Sequence, residues 1–425
     1  MSRPQRVAIM GMHYAPETTG NAPYTAGLAE GLRRRGLGVR VLTAHPHYPE
    51  NAFRPGRASW RSAERVEGVP VVRLRHWLPR RLSNVTRLLS EVSFGLRLAT
   101  SRWGSPDVLL LVSPALFSTV LALLASRLRH PRTPVVVWVQ DLYSLGLAET
   151  GGGGLVERGL AAVEAATLRS ADRLVVIHSR FERSVTERMG VDPSKVSVVR
   201  NWSHVEEPSG VDVRSVRRRF GWADDEVVVL HSGNMGLKQG LENVVEAARI
   251  ADATGDPVRF VLVGDGNQRS RLLELGRGVR SLSFVDPLPA DDFSSALAAA
   301  DILLVNERAG VSEMSVPSKL TSYFAAGRPV LAATDPLGVT ADEIRASGGG
   351  MVVPSGDPEL LLAGALELSR DPERCGRLAE NGREYRRSVL SADAAIDQYA
   401  GIIALLPRAR SGREGNAAST KRGSA

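Results

Sequence analysis

At 425 residues the chain is long enough to fill two hydrophobic cores, because a single core stops growing at roughly 250–300 residues. One cysteine, Cys375, excludes an internal disulfide framework and any cysteine-based zinc site, and it suits a reducing cytoplasm. The net charge of +8 rests on arginine: of 54 basic residues only Lys195, Lys238, Lys319 and Lys421 are lysines, and codon bias accounts for the shortage but not for where the lysines stand.

The opening MSRPQR leads straight into VAIMGM, a strand-like run with no secretory signal ahead of it. A long loop, Tyr14 to Ala22, precedes a predicted helix from Pro23 to Arg35, with proline in its first turn and Gly36 as its stop. Gly20 would let a ligand approach the backbone closely, and the helix start offers free N–H groups to an anion. GVRVLTA and PVVRL read as further strands. Segment 51–105 holds 11 arginines against three acids, Glu64, Glu67 and Glu91, an excess of +8. Trp60, Trp77 and Trp103 are interleaved with them, and Leu82, Val85, Leu88, Leu89, Val92, Leu96 and Ala99 recur at helical spacing. Two readings stay open here: a core-facing helix with a solvated arginine face, or a surface drawn to anionic membrane. No recognition motif accompanies the charge, so nucleic acid is not an expected partner.

Val108 to Ser126 runs 19 residues without a charge, the length of a membrane span, but Ser113-Pro114 breaks it. It reads as a buried strand (DVLLLV), a turn and a helix (STVLALLASRL). PVVVWV, DRLVVI and KVSVVR complete the first half. Apolar periodicity lapses at NWSHVEEPSGVD (201–212), and the pattern restarts with EVVVLHS, VRFVLVG, DILLVN, PVLAAT and GMVVP. Continuous apolar runs separated by helices are the mark of parallel strands covered on both faces. The expected fold is α/β, two doubly wound parallel-sheet domains facing a cleft, since ligands of such sheets sit beyond the carboxyl ends of the strands. The expected division is 1–203, 204–389, a return of 390–407 to the first domain, and a basic disordered tail over 408–425.

In the second half, HSGNMGLKQGLENVV surrounds a helix start with Gly233, Gly236 and Gly240 and adds the charge of Lys238, while FVLVGDG supplies a GxG turn at Gly264. The stretch SEMSVPSKLTSYFAAGRPVLAAT predicts a helix from Pro317-Ser318 to Gly327. Its first N–H groups, near Lys319, Leu320 and Thr321, together with the ammonium, would hold a diphosphate. Two helix mouths with lysines suit a nucleoside diphosphate leaving group that no metal neutralises. The chain has no Asp-x-Asp triplet, and no metal ligands or cofactor are assigned.

Across roughly residues 5–405, HYAPETTGNAPYTAGLAEGLRRRG, VVVWVQDLY, HSGNMGLKQGLE, VLVGDGNQRSRL, SFVDPLP and VPSKLTSYFAAGRPV together resemble family 4 glycosyltransferases of the GT-B fold, in the colanic-acid-type branch of polysaccharide biosynthesis. The resemblance implies retaining, metal-independent transfer of a hexosyl group from a nucleoside diphosphate sugar to a glycan or polyprenyl-linked acceptor, in the cytoplasm or peripherally on the inner membrane face. It implies catalytic roles for Glu313, Lys319, Lys238 and Asp141. Donor contacts fall at Gly20, Gly233, Asn234, Gly236, Gly264, Val285, Ser318, Leu320 and Ser322, and acceptor-side contacts at His13 and Asp141. The sequence departs from the family where Asn234 and Gln239 replace a loop arginine and lysine, Ser322 replaces the second of two paired glutamates, and Gln140 replaces a histidine before Asp141. A sugar-nucleotide epimerase and an inactive sugar-nucleotide-binding protein remain as alternatives.

Overall fold

The first apolar run becomes strand β1 (Arg6–Met10), flanked by β2 (Gly38–Ala44) on one side and β5 (Val108–Ser113) on the other, both parallel to it. The computed structural model describes residues 3–17, 20–47, 52–53, 59–79, 84–144, 154–202, 207–208, 210–310 and 319–407. They separate into two units, the first made of the chain up to Ser144, Gly154–Val199 and the residues from Ile396 onward, the second of Arg200–Ala395.

In the first unit β3 (Arg61–Val66), β4 (Val69–Leu74), β6 (Val135–Val139), β7 (Arg173–Val176) and β8 (Val196–Val198) complete an eight-stranded sheet of order β3-β4-β2-β1-β5-β6-β7-β8. Only β3 runs antiparallel. Strands β5 and β6 are buried at every position, which is why they read as unbroken apolar runs. Helices α1 (Ala22–Arg34), α2 (Asn84–Thr100), α3 (Leu116–Arg129), α4 (Leu155–Ser170) and the short α5 (Ser179–Arg183) accompany it. The uncharged stretch 108–126 is thus strand, turn and helix, and among the described residues no helix is long and apolar enough to cross a membrane.

The second unit has a six-stranded, wholly parallel sheet built from β9 (Val227–Ser232), β10 (Val258–Val263), β11 (Leu282–Val285), β12 (Ile302–Asn306), β13 (Val330–Thr334) and β14 (Gly350–Pro354), in the order β11-β10-β9-β12-β13-β14. Its helices are α6 (Val213–Phe220), α7 (Glu242–Thr254), α8 (Arg269–Leu275), α9 (Ala290–Ala299), α10 (Lys319–Ala326), α11 (Val339–Ser347), α12 (Pro358–Ser369) and α13 (Pro372–Ser388). Alternation along the strands feeds two cores. Val229, Phe260, Leu262 and Leu304 pack with α7 and α12 on one face, and Val228, Leu230, Val261 and Leu303 pack with α9 and α10 on the other. The last helix, α14 (Ala392–Ala404), returns to the first unit, where Ile396 fills the space left by Gly31, the Ile403 carbonyl accepts from Gln5, and Tyr399 meets the edge of Trp138.

Candidate active site

Strand order reverses between β9 and β12 in the second sheet, and ligands of such sheets bind in the crevice beyond the strand ends at that point. The residues that leave the two strands there are His231 and Ser232 on β9 and Glu307 just past β12, and the helix that follows β12 begins at Lys319. The Lys319 Nζ lies 3.2 Å from Nε2 of His231, a fully buried imidazole. Burial, and then the lysine's charge, hold His231 well below its usual pKa, so it stays neutral. Burial pulls Lys319 down to about 7, against an opposing effect from the Glu307 carboxylate. Burial pushes the Glu307 pKa up, while hydrogen bonds from the Thr334 and Thr340 hydroxyls and the charge of Lys319 oppose that. Behind them Tyr323 locks α10 to the sheet: its hydroxyl accepts from the Ser232 N–H at 2.9 Å and donates to the Leu304 carbonyl at 3.1 Å.

The loop after β9 is held by the loop after β10. Gly233 donates to the Val263 carbonyl and Met235 to that of Asp265, each within 2.9 Å. A Cβ on Gly264 would stand 2.1 Å from the Gly233 carbonyl oxygen, and one on Gly266 2.5 Å from that of Met235. Gly264 therefore serves loop packing, a role the donor-contact expectation did not include. The Gln239 side chain accepts from the Gly236 N–H, so this substituted position braces its own turn. Lys238 stands in a 3-10 turn, Leu237–Gln239, ahead of α7, which begins at Glu242. This corrects the expectation of a second lysine at an α-helix mouth. The Lys238 turn is tied to β12, where the Asn306 amide donates to the Gln239 and Gly240 carbonyls and Arg308 to the Lys238 carbonyl. Gly233, Asn234 and Lys238 are exposed at the crevice rim, and Ser322 is half-buried on α10. Leu320 places its side chain in the core, leaving only its first-turn N–H for a ligand. Val285 ends the edge strand, with its carbonyl occupied by the Gly264 N–H. Glu313 and Ser318 lie outside the described residues.

In the first unit Gly20 has a φ of +64° at the entry to α1, and Asp141 follows β6, its carboxylate accepting from the Leu142 N–H. His13 and Glu17, in the loop after β1, meet His47 at the end of β2, with the Glu17 carboxylate bonded to His13 Nδ1 at 2.8 Å and to the His47 N–H at 2.8 Å. Their donor atoms lie within 4.8 Å of one another, a grouping the metal-free expectation did not include.

Helix α2 corrects the reading of segment 51–105 as core-facing through its aliphatic spacing. Its buried face is Ser90, Glu91, Phe94, Gly95 and Leu98, with Gly95 pressed so close to α3 that a Cβ would stand 2.8 Å from the Ser118 Cα. Val85 and Leu96 remain 67% and 53% exposed, and Leu89 and Trp77 are exposed as well. Trp60 lies under the Arg97 guanidinium at 3.7 Å. Leu82, Arg80 and Arg81 lie outside the described residues.

Sequence reasoning missed two members of the second unit's site. His231 closes the apolar run VVVLHS and passes for a core residue, and Glu307 is the first charged residue after ILLVN. Its place at a strand end was the available signal.

Residues 19–202 match the glycosyl transferase 4-like domain, and residues 212–385 match the glycosyl transferases group 1 domain. The putative colanic acid biosynthesis glycosyl transferase WcaI of Escherichia coli K12 is 33% identical over 338 residues, which are 76% of this chain and 81% of that protein. Sucrose-phosphate synthase of Thermosynechococcus elongatus shares the fold with a TM-score of 0.73 at 18% identity, over 94% of this chain and 98% of its own. HepE of Anabaena in complex with UDP does so with a TM-score of 0.68 at 13% identity, over 94% and 99%. The chain belongs to the GT-B glycosyltransferases of the 4-like and group 1 domain families.

Proposed function

We propose that this glycosyltransferase moves a hexosyl group, with retention of anomeric configuration, from a nucleoside diphosphate sugar to a glycan or polyprenyl-linked acceptor in the making of a surface polysaccharide. The carrying observation is the juxtaposition of Lys319, neutral His231 and Glu307 at the β9/β12 reversal, where a helix start adds first-turn N–H groups. A diphosphate seated there meets an ammonium and backbone dipoles, which stabilise charge as it develops on the leaving oxygen. The acceptor hydroxyl attacks the anomeric carbon on the face that the diphosphate leaves, and a leaving phosphate oxygen takes its proton. No protein nucleophile and no magnesium or manganese is needed for that step. Glu307 sets the charge state of Lys319, and Lys238 and Asn234 reach the donor from the rim. Asp141 and His13 belong to the acceptor side. The similarity to a putative colanic acid transferase and the fold shared with a UDP complex support this reading.

A lipid-linked acceptor places the work at a membrane surface, and the outer stripe of α2 suits one. Val85, Leu89 and Leu96 point outward beside Trp77 and the exposed arginines Arg61 and Arg75. Arg73 and Arg87 are paired to Glu64 and Glu91 and contribute little to such attraction.

The test is a thermal-shift screen over UDP-, GDP- and dTDP-sugars, followed by transfer to a polyprenyl-linked acceptor without added magnesium or manganese. A true donor raises the midpoint by mass action. It should do so for the wild type and far less for Lys319→Ala, and nuclear magnetic resonance of the product should show the donor's anomeric configuration. An inverted product, or no donor that stabilises the wild type, refutes the proposal. Conversion of donor without acceptor would favour the epimerase, and binding without turnover over a full acceptor panel an inactive binder.

A further inference from the structure

Three neighbouring strands of the first sheet, β1, β2 and β4, send their following loops to one place, and those loops carry imidazoles. His13 and Glu17 come from the first, His47 from the second and His76 from the third. One donor atom from each of His13, Glu17 and His47 falls within a 4.8 Å span. The ring centroids of His13 and His47 are 5.2 Å apart, and those of His47 and His76 are 4.9 Å apart. Two imidazoles bound to one zinc ion at about 2.0–2.1 Å and a tetrahedral angle have centroids about 5 Å apart.

His76 is the second, independent observation. It is 6% exposed, and neither ring nitrogen has a hydrogen-bond partner among the described residues. The edges of Phe53 and Phe94 border the ring, and neither can accept or donate a conventional hydrogen bond. A buried imidazole left with both nitrogens unmatched is costly, and a water held by an ion beside it removes that cost on one side. Glu17 is also buried, and its carboxylate is already oriented by the His13 ring and the His47 N–H, as ligating carboxylates are. His47 holds Nδ1 against the His45 carbonyl at 2.9 Å, a carbonyl partner of the kind that orients ligating histidines.

We propose that His13, Glu17 and His47, beside the unmatched His76 imidazole, bind one divalent transition-metal ion, zinc in the first place, which ties together the loops after β1 and β2 at the carboxyl edge of the first sheet. Two imidazoles and a carboxylate favour zinc over magnesium or calcium, which prefer all-oxygen shells. Because His13 is also assigned to the acceptor side, metal uptake and melting, not transfer, read this site.

Cobalt is the probe, because four-coordinate Co²⁺ absorbs in the visible. Untagged full-length protein is stripped with a chelator and titrated with Co²⁺, then with Zn²⁺. One equivalent should produce the four-coordinate spectrum, one equivalent of zinc should abolish it, and zinc should raise the melting midpoint. His13→Gln, at a partly exposed position, should keep the fold and weaken Co²⁺ binding at least about tenfold. His76→Phe, which preserves a ring against Phe53 and Phe94 but removes its nitrogens, should weaken Co²⁺ binding and keep the four-coordinate spectrum. No stoichiometric uptake by the wild type overturns the proposal. So does equal affinity in both variants, or a thiolate-to-cobalt band that would assign the metal to Cys375.

Discussion

Donor binding should draw a proton onto Lys319. Its pKa stands at about 7 because burial disfavours the charge more than Glu307 favours it. A diphosphate brought beside it favours the ammonium and raises that pKa. The bound form thus has the higher pKa: affinity is full below the free value near 7 and is lost as pH rises above it, by about tenfold per unit until the bound value is reached. At pH 8 about nine-tenths of the lysine is neutral in the free protein, so binding should take up roughly 0.9 proton, against roughly 0.1 at pH 6. The other groups facing the ammonium do not imitate this, since burial and the lysine's charge hold His231 neutral, well below its usual pKa, and Glu307 binds fewer protons when a cation beside it is restored. Titration calorimetry in buffers of different ionisation enthalpy reads the uptake directly, with Lys319→Met as the variant that should show none. Uptake under about 0.2 proton at pH 8, or equal uptake in Lys319→Met, would refute the reasoning.

Glu307→Gln removes the group that supports the Lys319 charge, so the loss of donor affinity should begin at lower pH and turnover should fall roughly 10- to 100-fold, seen in kcat/KM against pH. Gly264→Ala sets a Cβ against the Gly233 carbonyl at a backbone φ of +132°; it should cost about 2–4 kcal/mol in denaturant unfolding, and an unchanged midpoint would mean the two loops can part freely. Sedimentation with anionic vesicles should capture the wild type at low salt and release it as salt shortens the screening length to about 8 Å, with Trp77→Ala/Leu89→Ser captured far less; equal capture of both proteins would return α2 to an ordinary solvated face.

The sheets were legible wherever both faces are covered. Strands β5, β6, β9 and β12 are buried throughout or nearly so, and burial on both faces forces an apolar run that no helix period imitates. Strands β3 and β11 escaped notice because they lie at sheet edges. RSAERV is polar and mostly exposed, and LSFV is too short to stand out from its turn. Helix α2 misled for a related reason: aliphatic residues at helical spacing signal a face, not which face is covered. Gly95 and Phe94 decided that by admitting α3. At the site, Lys319 was legible from its rarity and its helix start. Glu307 was overlooked because a glutamate pair eight or nine positions apart was sought further along the sequence, at Glu313 and Ser322. The imidazole cluster was invisible because His13, His47 and His76 are dispersed in the sequence and meet only when β1, β2 and β4 become neighbours.

An arginine-rich chain keeps lysine at position 319 for a reason the geometry supplies. Its buried arginines are each paired with a carboxylate and with backbone carbonyls: Arg73 donates to the Glu64 carboxylate and the Ala15 and Ala44 carbonyls, and Arg217 to Asp301 and the carbonyls of Ala223 and Glu226. Lys319 faces a neutral imidazole instead, and the Glu307 carboxylate that favours its charge is engaged by two threonine hydroxyls. A guanidinium there would remain charged at every pH and carry that charge unmatched, whereas an ammonium sheds its proton when unopposed and recovers it when an anion arrives. Lys319→Arg should therefore lower stability by about 1–3 kcal/mol and bind the donor with no proton uptake between pH 6 and 8. Should this variant be as stable as the wild type and retain its pH-dependent affinity, the charge-switching role assigned to the lysine would be wrong.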